Sequence, residues 1–296
     1  MKRYVVGLGE ALWDVLPTER KLGGAPANFA YHVANAGFDA LAISAVGNDK
    51  LGDETLENFD LKHLNYIIPR VDYPTGTVLV TIDANGIPTY DIKKHVAWDY
   101  IPFTSEIEDV AKNSQAVCFG SLAQREAVSR CTINKFLDTV PDDCLKIFDI
   151  NLRQQFYSKE IIASSLKKSD ILKINDEELE ILASMFGYAL ELPKNSQLKD
   201  FQTIVSKSII CDFNLKMVVL TCGINGSYII TSSEILYRNT PSVDVVDTVG
   251  AGDSFTGAFV AALLSGNSLE KAHEKAVDTS AFVCTQAGAM PMYIRR

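Results

Sequence analysis

The chain has 296 residues, of which 47% are hydrophobic and 22% are charged. This composition is typical of globular proteins and excludes wholesale disorder, and the length allows one large α/β domain or two small ones. Acidic residues outnumber basic ones by 37 to 28, a formal net charge of −9, so we expect neither a nucleic-acid partner nor an anionic membrane surface.

Short apolar runs alternate with helical periodicity over most of the chain. This alternation is typical of an α/β fold, in which helices cover a mainly parallel sheet. The predicted buried strands are residues 4–8, 41–46, 116–119, 146–150, 171–174 and 217–221. The predicted helices are residues 27–36, 127–140, 159–166, 177–185, 201–210, 254–265 and 269–285. No repeat, low-complexity tract or Pro/Ser-rich linker divides the sequence, so we expect a single domain over residues 1–296.

One segment departs from this alternation. Residues 75–83 and 87–92 have strand composition, and Ala84, Asn85 and Gly86 separate them. An Asn-Gly pair between two such runs is a strong signal for a β-hairpin. The segment therefore predicts a small β excursion from the main domain, of the kind that forms a lid.

The sequence also bears on the compartment of the protein. Gly7, Gly9 and Glu10 interrupt the first apolar run too early for the core of a signal peptide, and no stretch approaches the roughly 18 apolar residues of a membrane helix. The cysteines are scattered without a CxxC pair and the histidines lack ligand spacing, which favours reduced thiols over a disulfide framework or a zinc site. We expect a cytoplasmic protein.

The strongest motif covers residues 247–259, which read Asp-Thr-Val-Gly-Ala-Gly-Asp-Ser-Phe-Thr-Gly-Ala-Phe. Apolar residues at helical spacing behind it predict a helix that begins near Gly252. A Gly-Ala-Gly turn at a helix N-terminus offers backbone N–H groups to an anion. Asp253 then has two interpretations. It is a helix N-cap, or it is a general base that takes a proton from an alcohol while the amides of Gly250, Ala251 and Gly252 hold a transferring phosphoryl group.

Two motifs near the N-terminus point to a small polar ligand. Gly23 and Gly24 precede a predicted helix that carries Asn28 in its first turns, and paired glycines let a ligand approach the backbone. A tight entry turn without a ligand is the alternative. Asp14 follows the first strand, at the edge where open α/β sheets bind ligands, and would suit a pair of sugar hydroxyls. The alternative is a solvated loop carboxylate.

Two further segments follow predicted strands. Thr221, Gly223 and Gly226 surround a strand end whose spaced glycines suit a nucleotide phosphate or ribose, although a plain turn fits equally well. Asn175 and Glu178 would share a helix face and could hold a hydrated Mg²⁺ beside phosphates. Their alternative is a capping box, with Asn175 at the N-cap and Glu178 near N3.

Two nucleotide-binding motifs are missing. The sequence has no Gly-Lys pair, which excludes a Walker-type phosphate loop. Gly7 and Gly9 lack the third glycine of the Rossmann fingerprint, because position 12 is leucine. The second absence argues against an NAD-dependent oxidoreductase.

Together these segments resemble the ribokinase-like (PfkB) carbohydrate kinases, in order and nearly end to end. Residues 23–30 are similar to the first signature of that family and residues 247–259 to its second, more specific one. The resemblance implies a three-layer α/β/α domain around a mainly parallel sheet. It also implies a β lid contributed by roughly residues 11–22 and 66–98, and ATP, Mg²⁺ and a sugar as ligands.

The resemblance also implies a role for each matching position. It makes Asp253 the catalytic base and places the anion hole at Gly250, Ala251 and Gly252. The matching sugar-binding positions are Asp14, Gly24, Asn28 and Asp253. The matching nucleotide-binding positions are Asn175, Thr221, Gly223, Gly226 and Gly252, and those for Mg²⁺ are Asn175 and Glu178.

A monovalent cation loop is found in many members of the family. The matching positions, which would bind K⁺, are Asp247, Val249, Val283, Gln286 and Gly288. A further ligand in the family is a serine hydroxyl, and this chain has Met292 at that place.

Within the family, the similarity is greatest to fructokinases. It rests on Gly9-Glu10, Asp14 and Pro17, on the Gly-Gly-Ala-Pro-Ala-Asn run, and on residues 149–153 and 288–291. Arg153 would then reach the sugar or the phosphoryl group, its alternative being a cap or surface arginine.

We therefore expect an ATP-dependent kinase that phosphorylates the 6-hydroxyl of D-fructose. The alternatives are a kinase for ribose or 2-keto-3-deoxygluconate and a non-catalytic sugar- or nucleotide-binding regulator. The exposed edges of a lid make a homodimer through it plausible.

Overall fold

The computed structural model describes residues 2–16, 18–82, 88–188 and 198–293. Fifteen strands and nine α-helices are found in these residues. The strands are β1 (Tyr4–Leu8), β2 (Leu12–Val15), β3 (Arg20–Gly23), β4 (Ala40–Ile43), β5 (Val46–Gly47), β6 (Asn65–Ile67), β7 (Arg70–Val71), β8 (Gly76–Ile82), β9 (Pro88–Ile92), β10 (Ser114–Phe119), β11 (Leu145–Asp149), β12 (Ile171–Asn175), β13 (Met217–Thr221), β14 (Ser227–Ile230) and β15 (Ile235–Arg238). The helices are α1 (Ala25–Asn35), α2 (Lys50–Leu61), α3 (Ser105–Lys112), α4 (Ala127–Thr139), α5 (Lys159–Lys167), α6 (Asp176–Phe186), α7 (Leu198–Phe213), α8 (Ala251–Leu264) and α9 (Leu269–Cys284).

Nine strands form the main sheet, in the order β15-β14-β13-β12-β11-β10-β1-β4-β6. Strands β1, β4, β6 and β10 to β13 are parallel, and β14 and β15 extend one edge with antiparallel pairing. The central strands bury both faces, because alternate residues enter two different cores. Val5 packs with α1, α8 and α9, whereas Val6 packs with the layer that contains α3 to α7. The predicted three-layer α/β/α architecture is confirmed.

A second sheet has four strands in the order β3-β2-β8-β9. Strands β8 and β9 pair antiparallel, with Val78 opposite Ile92, as the hairpin signal predicts. The turn residues Ala84, Asn85 and Gly86 lie outside the described residues, as does Pro17. The segment between β6 and β8 takes no part in this sheet, since β6 pairs with β4 and β7 pairs with β5.

All six predicted strands and all seven predicted helices are present; strands 4–8 and 217–221 have the predicted ends, and the ends of the others are shifted. The largest strand error is at residues 41–46, which split into β4 and β5 because Ser44 and Ala45 leave the ladder. The sequence analysis predicts neither helices α2 and α3 nor strands β2, β3, β6, β7, β14 and β15. In the described part of the chain, no helix is both long and apolar enough to span a membrane.

The segment after α9 is fastened to α1. The Tyr31 hydroxyl donates to the Pro291 carbonyl at 2.6 Å, and Nε2 of His32 lies 2.9 Å from the Ala289 carbonyl. Burial lowers the pKa of His32 to about 4, so its neutral ring donates this bond at neutral pH. These contacts hold residues 289–291 beside the turn that begins α8. In that position Ala289 fills the space over Gly250.

Candidate active site

The candidate site lies where the carboxyl ends of the central parallel strands meet the N-terminus of α8. Glu10 follows β1, Asp149 ends β11, and Lys173 lies two residues before the end of β12. Asp253, in the first turn of α8, interacts electrostatically with all three. This is the sheet edge at which open α/β folds bind ligands.

The start of α8 is set by Gly250, which is the N-cap residue and has a left-handed φ of 78°. A Cβ atom there would lie 2.5 Å from Cβ of Ala289, so the close approach also requires glycine. No side chain caps this helix, and Asp253 is its third residue. The interpretation of Asp253 as an N-cap is therefore wrong, and the first N–H groups of α8 keep no side-chain acceptor.

Asn28 holds the Asp253 carboxylate. Its Nδ2 atom donates to Oδ2 of Asp253 at 2.7 Å, across 225 positions of sequence. Asn28 reaches this position because α1 begins directly after Gly24, whose φ is 124°. A Cβ atom on Gly24 would lie 2.3 Å from the Glu10 carbonyl oxygen, so the glycine lets the start of α1 pack against the end of β1. The predicted positions Gly24, Asn28 and Asp253 are thus brought together.

Burial raises the pKa values of the carboxyl groups at this edge. The pKa of Glu10 is about 7, because burial is reinforced by Asp253 and Asp149 and only partly opposed by Arg153. The pKa of Asp149 is about 6, raised by burial against the effect of Lys173. Burial also raises the pKa of Asp253, while Asn28 and Lys173 oppose the shift. Groups with such shifts in a cleft are typical of functional sites.

Lys173 is a site residue that the sequence analysis missed. It lies directly opposite Asp149 in the β11–β12 ladder, and its Nζ atom forms an ion pair with Oδ1 of Asp149 at 3.3 Å. Thr256 of α8 donates to the other carboxylate oxygen of Asp149, also at 3.3 Å. The available signal was a lysine inside an otherwise apolar central strand.

Asp14 and Arg153 lie on the open side of the site. Asp14 is in β2 and half-buried, which raises its pKa, and the charges of Arg153 and Lys21 oppose that shift. Arg153 follows β11 and is exposed; it donates to the Leu152 carbonyl at 3.0 Å. Its charge opposes the rise in the pKa values of Glu10, Asp14 and Asp253, so the predicted arginine lies near the predicted sugar positions.

The predicted nucleotide positions follow β12 and β13. Asn175 and Thr221 are direct neighbours in the β12–β13 ladder. After Thr221 the chain turns through Gly223 and Gly226, which have φ values of 53° and 92°. A Cβ atom on Gly226 would lie 2.4 Å from the Arg238 carbonyl oxygen, so a side chain there is excluded.

Asn175 and Glu178 form the capping box that the sequence offered as an alternative. Oδ1 of Asn175 accepts from the Glu178 amide at 2.8 Å, and Oε2 of Glu178 accepts from the Asn175 amide at 3.0 Å. Oε1 of Glu178 accepts from the Leu152 amide at 2.8 Å. Both carboxylate oxygens are thus engaged, and no group of three potential metal-ligating side chains occurs in the described residues. Binding of Mg²⁺ by Asn175 and Glu178, directly or through water, stays a prediction.

The predicted cation positions also come together. The Asp247 carboxylate accepts from the Val249 amide at 3.0 Å and from the Gly288 amide at 3.1 Å. The Val283 carbonyl accepts from the Gln286 amide at 2.9 Å. Lys21 of β3 places its ammonium 3.4 Å from Asp247. Met292 is 85% exposed, and K⁺ binding at this loop stays a prediction.

Known proteins resemble this chain over nearly its whole length. It is 30% identical to an ATP-dependent 6-phosphofructokinase of Thermoanaerobacterium thermosaccharolyticum, over 98% of this chain and 90% of that protein. It is 25% identical to a fructokinase of Rhizobium leguminosarum bv. trifolii, over 92% and 83% of the two chains. The crystal structure of a fructokinase from Vibrio cholerae O395, with fructose, ADP and calcium ion bound, superposes with a TM-score of 0.79 at 23% identity and covers 98% of this chain and 95% of that one. Residues 5–294 match the family described as pfkB family carbohydrate kinase, and the chain belongs to that family.

Proposed function

We propose that this carbohydrate kinase transfers the γ-phosphoryl group of ATP to the 6-hydroxyl of D-fructose. The observation that carries the proposal is the Asp253 carboxylate, held by Asn28 at 2.7 Å beside an N-terminus of α8 that no side chain caps. A base and a set of N–H donors at one point are what transfer of a phosphoryl group to an alcohol requires. The choice of fructose is supported by the fructokinase-like segments of the sequence and by the fructokinases among the similar proteins.

In this proposal each group has a separate task. Asp253 accepts the proton of the sugar hydroxyl as its oxygen attacks the γ-phosphorus. The amides of Gly250, Ala251 and Gly252 hold the phosphoryl oxygens, and Arg153 approaches from the exposed side. Mg²⁺, when bound with ATP, neutralises phosphate charge.

Binding of the substrates is proposed for the remaining matched positions. Asp14, Gly24 and Asn28 bind the sugar hydroxyls, and residues 221–226 bind the nucleotide. The sheet β3-β2-β8-β9 carries Asp14, and we propose that it acts as a lid on a single kinase domain and excludes water when it closes. We propose that its edge strands β3 and β9 pair with a second copy of the chain. We place the reaction in the cytoplasm.

Fructose 6-phosphate is the second candidate acceptor. The 30% identity to a 6-phosphofructokinase favours it. So does a groove of about 480 Å³ beside the Arg153 loop, where a second phosphate would meet the charge of Lys94; Gln154 and the ion pair of Lys93 with Asp91 also line it. Against it stand the carboxylates of Glu10 and Asp14, which suit the hydroxyls of a neutral sugar better than an anion.

The experiment measures ADP release with ATP, Mg²⁺ and a panel of acceptors. We expect kcat/KM for fructose to exceed that for ribose, 2-keto-3-deoxygluconate and fructose 6-phosphate by at least ~10-fold, about 1.4 kcal/mol in transition-state stabilisation. A preference for fructose 6-phosphate that is lost in Lys94→Met would establish the second candidate. No turnover with any acceptor, together with measurable sugar binding, would indicate a non-catalytic regulator.

A further inference from the structure

Lys173 occupies a strand position where an apolar side chain is expected. Leu172 and Ile174 on either side are fully buried in one core, while Ile171 packs in the other core with Phe255 of α8. Because side chains alternate along a strand, Lys173 is directed to the same side as Ile171, toward α8. The residue is only 8% exposed.

The ammonium group of Lys173 lies close to Gly252 in the first turn of α8. A Cβ atom on Gly252 would lie 2.9 Å from Nζ of Lys173, so the ammonium fills the space of a side chain in the first turn of α8. Gly252 lies inside the helix, where any residue could adopt the backbone conformation. A side chain at position 252 would therefore displace the ammonium of Lys173.

This placement brings like charges together. The N-terminus of a helix carries a partial positive charge, and an ammonium beside it is unfavourable unless anions are near. Burial alone would lower the pKa of Lys173, but Asp149, Glu178 and Asp253 together raise it above its ordinary value. Lys173 therefore remains charged, and the ammonium and the first amides of α8 concentrate positive charge beside the proposed base.

We propose that Lys173 is a further catalytic residue, whose ammonium group contacts the phosphoryl group as it passes from ATP to the sugar. In this step the bond between the γ-phosphorus and the bridging oxygen of ADP breaks, and a bond to the sugar oxygen forms. The hydroxyl proton goes to Asp253. Lys173 transfers no proton and donates hydrogen bonds to the phosphoryl oxygens. The inference rests on the proposed phosphoryl transfer, but it does not depend on which sugar is the acceptor.

The competing interpretation is that Lys173 only neutralises Asp149. Under that interpretation the double variant Lys173→Met/Asp149→Asn, which removes both charges, recovers most of the turnover lost in Lys173→Met. If Lys173 contacts the phosphoryl group, the double variant stays impaired, because no ammonium is restored.

The test compares Lys173→Met with wild type on the best acceptor of the sugar panel. We expect kcat to fall ~10²–10³-fold, the usual effect of removing one donor from a transition-state site, with sugar KM within about threefold of wild type. Affinity for ADP with aluminium fluoride, which mimics the transferring phosphoryl group, should fall in parallel, while affinity for ADP alone changes little. Lys173→Arg keeps the charge and should recover part of both losses.

A second variant, Gly252→Ala, leaves every charge in place and suits a helix. Its Cβ atom displaces the ammonium, and we expect a loss of about 10- to 100-fold in kcat and in affinity for the aluminium fluoride complex. Lys216→Met is the matched control, because Lys216 is 61% exposed and pairs with Asp170 just before β13 begins. Its kinetics should equal those of wild type.

Two results would overturn the inference. One is a kcat that stays within threefold of wild type in Lys173→Met, or a lost kcat that the double variant Lys173→Met/Asp149→Asn recovers. The other is unchanged affinity of Lys173→Met and Gly252→Ala for ADP with aluminium fluoride. Failure of the proposed function would be seen separately, because the wild-type protein would then phosphorylate no sugar in the panel.

Discussion

Replacing Asp253 by asparagine separates its chemical role from its structural one. In Asp253→Asn the side-chain oxygen can still accept from Nδ2 of Asn28, a bond of 2.7 Å in the structure. The substitution also removes a buried charge, since burial raises the pKa of Asp253. We therefore expect the free energy of unfolding to change by no more than about 1 kcal/mol, because a charge-assisted hydrogen bond is exchanged for a neutral one while a desolvation penalty is relieved.

The effect on turnover should be far larger. An amide cannot take the hydroxyl proton, and positioned proton transfer contributes ~10²–10⁴-fold, or about 2.7–5.5 kcal/mol of activation free energy. The assay measures kcat by ADP release, the ATP dissociation constant by calorimetry, and the thermal midpoint of the same preparation. ATP should bind as well as in wild type or slightly better, because a negative charge near the phosphates is gone.

The pH profile gives an independent check of the same residue. A base acts only when unprotonated, so wild-type kcat should fall as the pH drops through the Asp253 pKa, which lies above its ordinary value. Asp253→Asn should lack that limb. Glu106→Gln is the matched control, since Glu106 is an exposed acid in the first turn of α3 and touches none of the site. Near-wild-type turnover in Asp253→Asn, or turnover lost only because ATP no longer binds, would refute the assignment of the base.

Three further predictions concern stability and ions. Glu10, with a pKa of about 7 in the folded protein, binds protons that the unfolded chain releases, so stability should fall as the pH rises from about 4.5 to 7. Thermal melts should then show Glu10→Gln more stable than wild type at pH 8, by up to about 3 kcal/mol, and an equal gain at pH 5 would contradict this reasoning. In denaturant titrations, Gly250→Ala should be less stable than Gly266→Ala by about 1–3 kcal/mol. Both glycines have left-handed φ values, 78° and 76°, but of the two only Gly250 has a neighbour within 4 Å of the added Cβ. A K⁺ ion at Asp247 would order the turn before α8, so kcat should be higher in K⁺ than in Na⁺ at matched ionic strength, and equal rates would show that this loop binds no activating cation.

Most of the fold could be predicted because local sequence patterns identify its strands and helices. The parallel strands are continuous apolar runs, and α8 and α9 follow a helical period that no turn signal interrupts. Helices α2 and α3, which were missed, contain few apolar residues. Helix α2 has the sequence Lys-Leu-Gly-Asp-Glu-Thr-Leu-Glu-Asn-Phe-Asp-Leu, which is too polar for a clear apolar stripe. It begins at Lys50 because the Asp49 side chain accepts from the Gly52 amide at 2.8 Å, a cap that acts within a few residues.

The site was harder to predict where its geometry depends on distant contacts. The turn proposed to bind the phosphoryl group could be predicted from the sequence, since its glycines and Asp253 lie within four consecutive residues. The contact between Asn28 and Asp253 joins positions 225 apart, and only the resemblance to a family suggested that both serve one site. Lys173 was missed because its partners, Asp149 and Gly252, come from another strand and from a helix, and no pattern along the sequence links them.

The fastening of residues 289–291 to α1 affects when during synthesis the site can form. The parallel strands of the main sheet are complete once residue 221 has been made, yet Asn28 has no carboxylate to hold until α8 follows. Ala289, which packs over Gly250, and Pro291, which accepts from Tyr31, are made later still. A nascent chain stalled before residue 289 would thus carry a nearly finished scaffold in which the turn before α8 lacks its contact with Ala289. Phosphotransferase activity should appear only when this last segment has left the ribosome.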